Sequence, residues 1–451
     1  MIERRPSAPG LSGWAAWLGY QFLFGNAILF GAGLVPFLDR RFQRVRDGLP
    51  HYLGMLPLPP PGPLIWVHGV SLGETTVACS LMEQLRAGFP NWRIGFTTTH
   101  PDVLAMVRKK RLADVTGYFP LDFAPLIGNA MERWRPRLIV LSETDFWPCL
   151  ALLCRLRGIP LVLVNGRISE KHLVFWSRAV ALGRTVFQAF FKMAVQTHSD
   201  LERLERMGAD PQAIEVLGNI KFDLAPPLKE EFLGPIRTWR GKSSLIVFGS
   251  LHPTEFSALE PVFSYLSTDG NLRLLIAPRD IGFAKAWETR LRAIGLPVGR
   301  RSSSDGLRPE NRVLLLDTIG ELASLYSLAG AAFIGGTLDP KVGGHNPLEA
   351  IVQGVPLVTG PHARNFADLI AQLKSEGGVE VESDPTVLAR LLRELAGRSP
   401  RAVSMIERAS VVLSRNQGAL ERTMAMIQPL LAICTSENPA APGGCTKENR
   451  D

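Results

Sequence analysis

Cysteine is scarce: Cys79, Cys149, Cys154, Cys434 and Cys445 are the five in 451 residues, and no two form a Cys-x-x-Cys pair. An odd count without paired spacing argues against a disulfide framework or a structural zinc site, and fits a reducing compartment. Histidine is thin as well, no two histidines stand four apart, and no Asp-x-Asp element occurs. His68, His252, His345 and His362 therefore lack the spacing of a helical ligand pair, and nothing acidic is set to grip a nucleotide-bridged ion. Metal-independent chemistry with no cofactor is the expectation. Aromatic residues do not interleave with basic ones in any strip, so nucleic acid is not an expected partner.

Charge is absent from residues 11–38. A membrane-spanning helix needs about 20 mainly apolar residues, so the length suffices. Trp14, Trp17 and Tyr20 suit one membrane interface, while Gly13, Gly19, Gly25, Gly31 and Gly33 dilute the apolar character. Arg40, Arg41, Arg44 and Arg46 outnumber Arg4 and Arg5, which leaves the body of the chain in the cytoplasm. An N-terminal membrane anchor is expected over 1–46; a helix lying in the interface and an ordinary buried helix are the alternatives.

The rest of the chain carries a formal net charge of +8 overall, which suits an anionic partner without choosing one. Its length predicts two domains. Strand-like runs alternate with helical stretches, which favours an α/β fold. After a proline-rich linker over 47–63, strands are expected at 64–68, 93–98, 117–120, 138–142, 161–165 and 194–196. Residues 225–241 read as an interdomain linker. Strands then restart at 245–249, 272–277, 313–316, 331–334 and 355–359, followed by one long helix over 402–432. The expected domains are 47–224 and 242–434, each a doubly wound parallel sheet, with a disordered tail over 435–451.

Residues 331–366 organise the second half: a strand, a loop with Gly335, Gly336, Gly343 and Gly344, a helix and another strand. Asn346 suits an N-cap, Pro347 the first helical position and Gly354 the stop. Loop amides and a helix N-terminus converging at the carboxyl end of a sheet would make a phosphate site. Ordinary loop punctuation explains the glycines equally well. Glu349 fits either a capping-box return or a ribose contact.

Several ordered motifs resemble those of the lipopolysaccharide Kdo transferases, which move 3-deoxy-D-manno-octulosonic acid (Kdo) from CMP-Kdo to a lipid A precursor. They are the run from Trp66 to Glu74, Ser142-Glu143-Thr144, Trp147-Pro148, and the run from Leu217 to Asp223. Ala277-Pro278-Arg279, Asp317 to Leu322, Gly343 to Glu349 and Gly360-Pro361-His362 continue the series. The resemblance implies a GT-B glycosyltransferase fold, with two Rossmann-like domains facing a cleft and the nucleotide in the C-terminal one. It implies an inner-membrane protein with its catalytic body at the cytoplasmic face. It makes Glu74 the proton acceptor, and Glu143 and Lys221 transition-state groups. CMP contacts fall on Pro278, Arg279, Ile319, Gly320, Glu321, Asn346, Pro347, Leu348 and Glu349.

Each assignment has a plainer counterpart. Glu74 also fits a first-turn glutamate facing the helix dipole. Arg279 could be a solvated strand-end arginine, Lys221 a surface lysine and Glu143 a helix cap. Where the family runs His-Pro-Glu-Arg after Pro-Arg, this chain has Asp280-Ile281-Gly282-Phe283, placing an acid beside the expected phosphate pocket. The competing readings are a paralogue using another CMP-activated ulosonic sugar or another acceptor, and a membrane-associated binding protein without catalysis.

Overall fold

A computed structural model describes residues 9–34, 43–70, 72–144, 146–224 and 228–436. The chain forms two compact units, one of residues 1–223 with 418–451, the other of residues 224–417.

The first unit is a seven-stranded sheet of β1 (Leu64–His68), β2 (Arg93–Thr98), β3 (Val115–Tyr118), β4 (Pro136–Ser142), β5 (Leu161–Gly166), β6 (Lys192–Val195) and β7 (Ile214–Val216). Their order is β3-β2-β1-β4-β5-β6-β7, and every pairing is parallel. β1 and β5 are buried at every position, because helices cover both faces of a parallel sheet. The chain runs outward from β1 to β3, then returns to start β4 on the other side. That reversal leaves a crevice at the carboxyl ends of β1 and β4.

The second unit repeats the plan. Its strands are β8 (Ser244–Leu251), β9 (Leu272–Pro278), β10 (Val298–Arg300), β11 (Val313–Leu315), β12 (Ala331–Ile334), β13 (Leu357–Thr359) and β14 (Glu380–Val381). The order is β10-β11-β9-β8-β12-β13-β14, again parallel throughout. Here the reversal lies between β8 and β12. The sheet with its helices is the two-Rossmann-unit arrangement expected of GT-B.

Four expectations change. Most of the expected linker over 225–241 is the helix Glu230–Arg240 of the second unit; Leu233, Ile236 and Trp239 are buried at helical spacing despite Pro235. The linker at 47–63 begins inside the helix Gln43–Tyr52. The single helix over 402–432 is two, Pro400–Asn416 and Ala419–Ser436, broken where Gly418 takes φ +85°. The second of these packs on β4 and the helix Leu72–Gly88, so the chain after Gly418 goes with the first unit rather than ending the second at 434. Asp223 caps it, accepting from the amides of Gly418 and Leu420, both at 2.6 Å. The tail expected to be disordered lies, from 437 on, outside the described residues.

The helix Leu11–Leu34 is docked along one side. Tyr20 donates to buried Asp122 (3.0 Å), Gln21 accepts from the Ala124 amide (2.8 Å), and Gly13 lies close against Thr185. Among the described residues no helix is long and apolar enough to cross a membrane.

Candidate active site

Glu74 stands in the first turn of the helix Leu72–Gly88, directly after β1; its side chain is outside the described set. That helix packs against β4 and against the short turn Ile220–Asp223. Glu143 follows β4, and Lys221 sits in that turn. The structure brings the two together: Lys221 Nζ lies 2.6 Å from Glu143 Oε1. Asn165, at the end of β5, donates its amide to the same oxygen (3.2 Å) and accepts from the Ile220 amide (2.9 Å). One asparagine thus fixes both the acid and the turn that carries its cation.

The backbone is strained where this cluster forms. Glu143 has φ +62° and Asn165 φ +54°, a left-handed region that disfavours residues with a Cβ. Such outliers persist where surrounding bonds over-determine them, and they gather at functional sites. The plainer readings, a helix cap for Glu143 and a surface lysine for Lys221, do not describe a mostly buried ion pair at the sheet's reversal point. Asn165 was not singled out from the sequence, although Asn165-Gly166 at a strand end is a recognisable signal for left-handed backbone.

In the second unit the expected nucleotide residues gather at the carboxyl ends of β8, β9, β11 and β12. Pro278 ends β9, and the Arg279 amide donates to Leu251 O (2.9 Å) beside it. Glu349 feels Arg279: burial raises its pKa and the guanidinium lowers it, with the balance upward. Ile319 is fully open to solvent and Gly320 takes φ +91° with open space around it. Glu321 is committed elsewhere, accepting from Arg301 (2.9 Å) and Thr318 (2.6 Å), which leaves the backbone of 319–321 as the surface a ligand would meet.

The glycine loop departs from expectation. Three of its four glycine amides are not bare: Gly335 donates to Gly249 O, Gly336, with Leu338, to the carboxylate of Glu255, and Gly344 to Gly336 O; His345 also donates to Gly335 O. Asn346 and Pro347 do introduce a helix, Asn346 accepting from the Leu348 amide at 3.1 Å, but it is one turn long, Leu348–Ile351. A single turn sums few peptide dipoles, so the helix end cannot supply much positive potential. The charged or chargeable groups at these strand ends include Arg279, His252 and His345.

Glu255 explains the loop. It is 1% exposed and accepts from the amides of His252 (2.9 Å), Gly336 (2.7 Å) and Leu338 (3.0 Å). Glu255, three residues after His252, bonds the His252 amide like the return arm of a capping box, a spacing visible in the sequence. Gly335 is required here, because a Cβ would fall 2.6 Å from Ser250 O. Asp280 spends its charge on a local turn, accepting from the Gly282 amide (2.8 Å). Among the described residues no group of three or more His, Cys, Asp or Glu side chains could hold a metal ion.

Residues 38–224 match the family model for 3-deoxy-D-manno-octulosonic-acid transferase (kdotransferase). The 3-deoxy-D-manno-octulosonic acid transferase of Haemophilus influenzae is 30% identical over 412 residues, covering 90% of this chain and 95% of that one. The namesake protein of Chlamydophila psittaci is 30% identical over 423 residues, with the same coverage. In fold, the chain is similar to a putative UDP-N-acetylglucosamine 2-epimerase from Listeria monocytogenes (TM-score 0.58, 14% identity, 83% of this chain and 98% of that one).

Proposed function

Because the chain belongs to the 3-deoxy-D-manno-octulosonic acid transferase family, and is therefore a glycosyltransferase of that class, we propose that it moves Kdo from CMP-Kdo to a lipid A precursor, lipid IVA, with inversion and without a metal. In this reading Glu74 takes the proton from the acceptor hydroxyl as that oxygen bonds to the anomeric carbon. The bond from that carbon to the phosphate oxygen breaks, and CMP leaves with the electron pair. Arg279 meets the developing phosphate charge. Lys221, oriented by Glu143 and Asn165, meets the carboxylate of the sugar or the departing phosphate.

The observation that carries the reading is the Glu143–Lys221 pair at 2.6 Å, held in left-handed backbone where the first sheet reverses, against the helix that bears Glu74. Its test is a transfer assay with CMP-Kdo and lipid IVA, wild type beside Glu74→Ala. Loss of roughly a thousandfold in rate supports a general base. Product from the variant at the wild-type rate removes Glu74 from that role. Absence of product from folded wild type favours a paralogue with another ulosonic sugar or acceptor.

The same reading places the protein at the cytoplasmic face of the inner membrane. Leu11, Leu18 and Phe22 form an exposed stripe on the first helix, opposite the docked side, with Leu23 beside it at 72% exposure. Val174, Phe175 and Val180, also exposed and flanked by Lys171 and Arg178, add to the apolar surface of the same unit. Exposed apolar side chains on the uncharged first helix, with Lys171 and Arg178 on the helix Glu170–Arg178, suit a surface resting on an anionic interface.

A further inference from the structure

Beside the donor residues two histidines face each other. His252 Nε2 and His345 Nε2 are 3.1 Å apart, and the rings are nearly parallel, 9° between planes. Two ring nitrogens at that distance share one hydrogen, one donating and the other accepting. The pair can be neutral or carry one positive charge in this geometry; two protons on the facing nitrogens would repel.

The backbone builds this encounter deliberately. The β8–β9 register shifts between Phe248 and Leu251, and Ser250 takes φ +58° without being glycine. That bulge re-aims the chain into His252. On the other side, Gly336 (φ +71°) leaves room for the His345 ring, which would lie 3.0 Å from a Cβ there. Glu255 ties the two segments, bonding the His252 amide and the Gly336 and Leu338 amides at once.

Charges reach the pair from three elements. Arg279, after β9, acts on His345; Asp339, in the loop after β12, acts on His252; Glu255 stands next to His252 with its oxygens given to amides. Glu349 balances Arg279 from the one-turn helix. Burial first, then Arg279 and His252, hold His345 down to about 4, so it is neutral at pH 7. An anion set against Arg279 cancels that repulsion and adds an attraction for the imidazolium. The amides of Gly335, Gly336, Gly344 and His345 are already bonded, and the pair is a means of adding full positive charge beside Arg279.

We propose that the His252–His345 pair is a proton-linked receptor for the donor's phosphate, taking up one proton as a cytidine monophosphate group settles beside Arg279. The inference rests on the reading that the second unit binds CMP. CMP itself is the probe, at pH 7.5, titrated calorimetrically into the full chain in buffers of differing ionisation enthalpy. Uptake of between about a half and one proton per CMP is expected in wild type, with most of it lost in His345→Gln. Cytidine, lacking the phosphate, should cause none. Equal uptake in wild type and variant, or equal uptake with cytidine, overturns the proposal. If His345→Gln fails to fold, histidine Cε1–H NMR titration of wild type decides. One of the pair must titrate at about pH 7.5 or above when CMP saturates, as the expected uptake requires; unchanged titration of both overturns it. Saturable CMP binding without proton uptake sinks this inference alone, whereas no CMP binding at all sinks the donor reading with it.

Discussion

Two glutamates show how differently the units use the same side chain. At the end of β4, Glu143 stands in left-handed backbone and faces a cation, Lys221, at 2.6 Å. Just past β8, Glu255 is 1% exposed, and the amides of His252, Gly336 and Leu338 converge on its carboxylate. The first arrangement keeps charge of both signs at a sheet's reversal point, where the proposed transfer would use it. The second consumes a carboxylate to hold a glycine loop still, beside Arg279 and the two histidines proposed to meet the donor. A shared topology therefore fixes where each site lies, and local bonding decides whether an acid serves chemistry or scaffolding.

The sharpest way to break that contrast is to remove the cation from the first unit. Lys221→Met leaves Glu143 mostly buried and unpaired, which should cost the first unit roughly 3 kcal/mol or more. Glu143→Leu combined with Lys221→Met should recover much of that loss, since no uncompensated charge remains. Chemical denaturation followed by hydrogen exchange over 43–223 reads both.

Acid separates the units next. His68 is held down to about 3 by burial, against its bond to Thr97, and His345 to about 4. Both folded pKa values lie below the unfolded one, so each contributes stability that is present above about pH 6.5 and lost as the pH falls toward the folded value. Asp122 works oppositely. Burial raises it to about 6, although its bonds to Cys149 and Leu150 pull it down. The first unit therefore gains stability from Asp122 below pH 6, on the order of 3 kcal/mol by pH 4, which offsets most of the loss from His68. In the second unit the loss from His345 is opposed in the same way by Glu349, whose carboxyl pKa is raised by burial. Hydrogen exchange at pH 4.5 should show protection over 228–417 falling less in His345→Gln than in wild type, with 43–223 unchanged; an equal fall in the two proteins contradicts the assignment.

Glu255→Gln exchanges an acceptor for a donor opposite loop amides, a cost of about 2 kcal/mol. CMP affinity should drop by up to roughly thirtyfold, the same ~2 kcal/mol converted, with the first unit's exchange pattern unchanged. Smallest is the surface effect. Phe22→Ser with Leu23→Ser removes two exposed apolar side chains from the first unit, and sedimentation with anionic vesicles should weaken by roughly 1–2 kcal/mol, while variants of the second unit leave it unaffected.

Much of this architecture was legible in the chain. The mainly apolar runs at Leu64–His68 and Leu272–Ala277 identified buried strands because a covered parallel sheet leaves no polar face. Val298–Arg300 and Glu380–Val381 escaped notice: three and two residues cannot display a period. Pro235 disguised the helix Glu230–Arg240, whose buried triplet carried the better signal. At the site, Glu143 and Lys221 were named, but their pairing spans 78 positions of sequence and depends on Asn165 from a third element. The glycine loop was placed correctly and its bonding misjudged, because the carboxylate that occupies its amides comes from Glu255, 81 residues before Gly336.

The most direct test of the division of labour is Glu143→Gln, measured for both Kdo transfer from CMP-Kdo and CMP affinity in the same folded preparation. The isosteric change removes the negative charge facing Lys221 and touches nothing in the second unit. The account predicts a transfer rate lower by roughly a hundredfold or more, with CMP binding unaltered. A rate near wild type, or a loss of rate matched by an equal loss of CMP affinity, would contradict it.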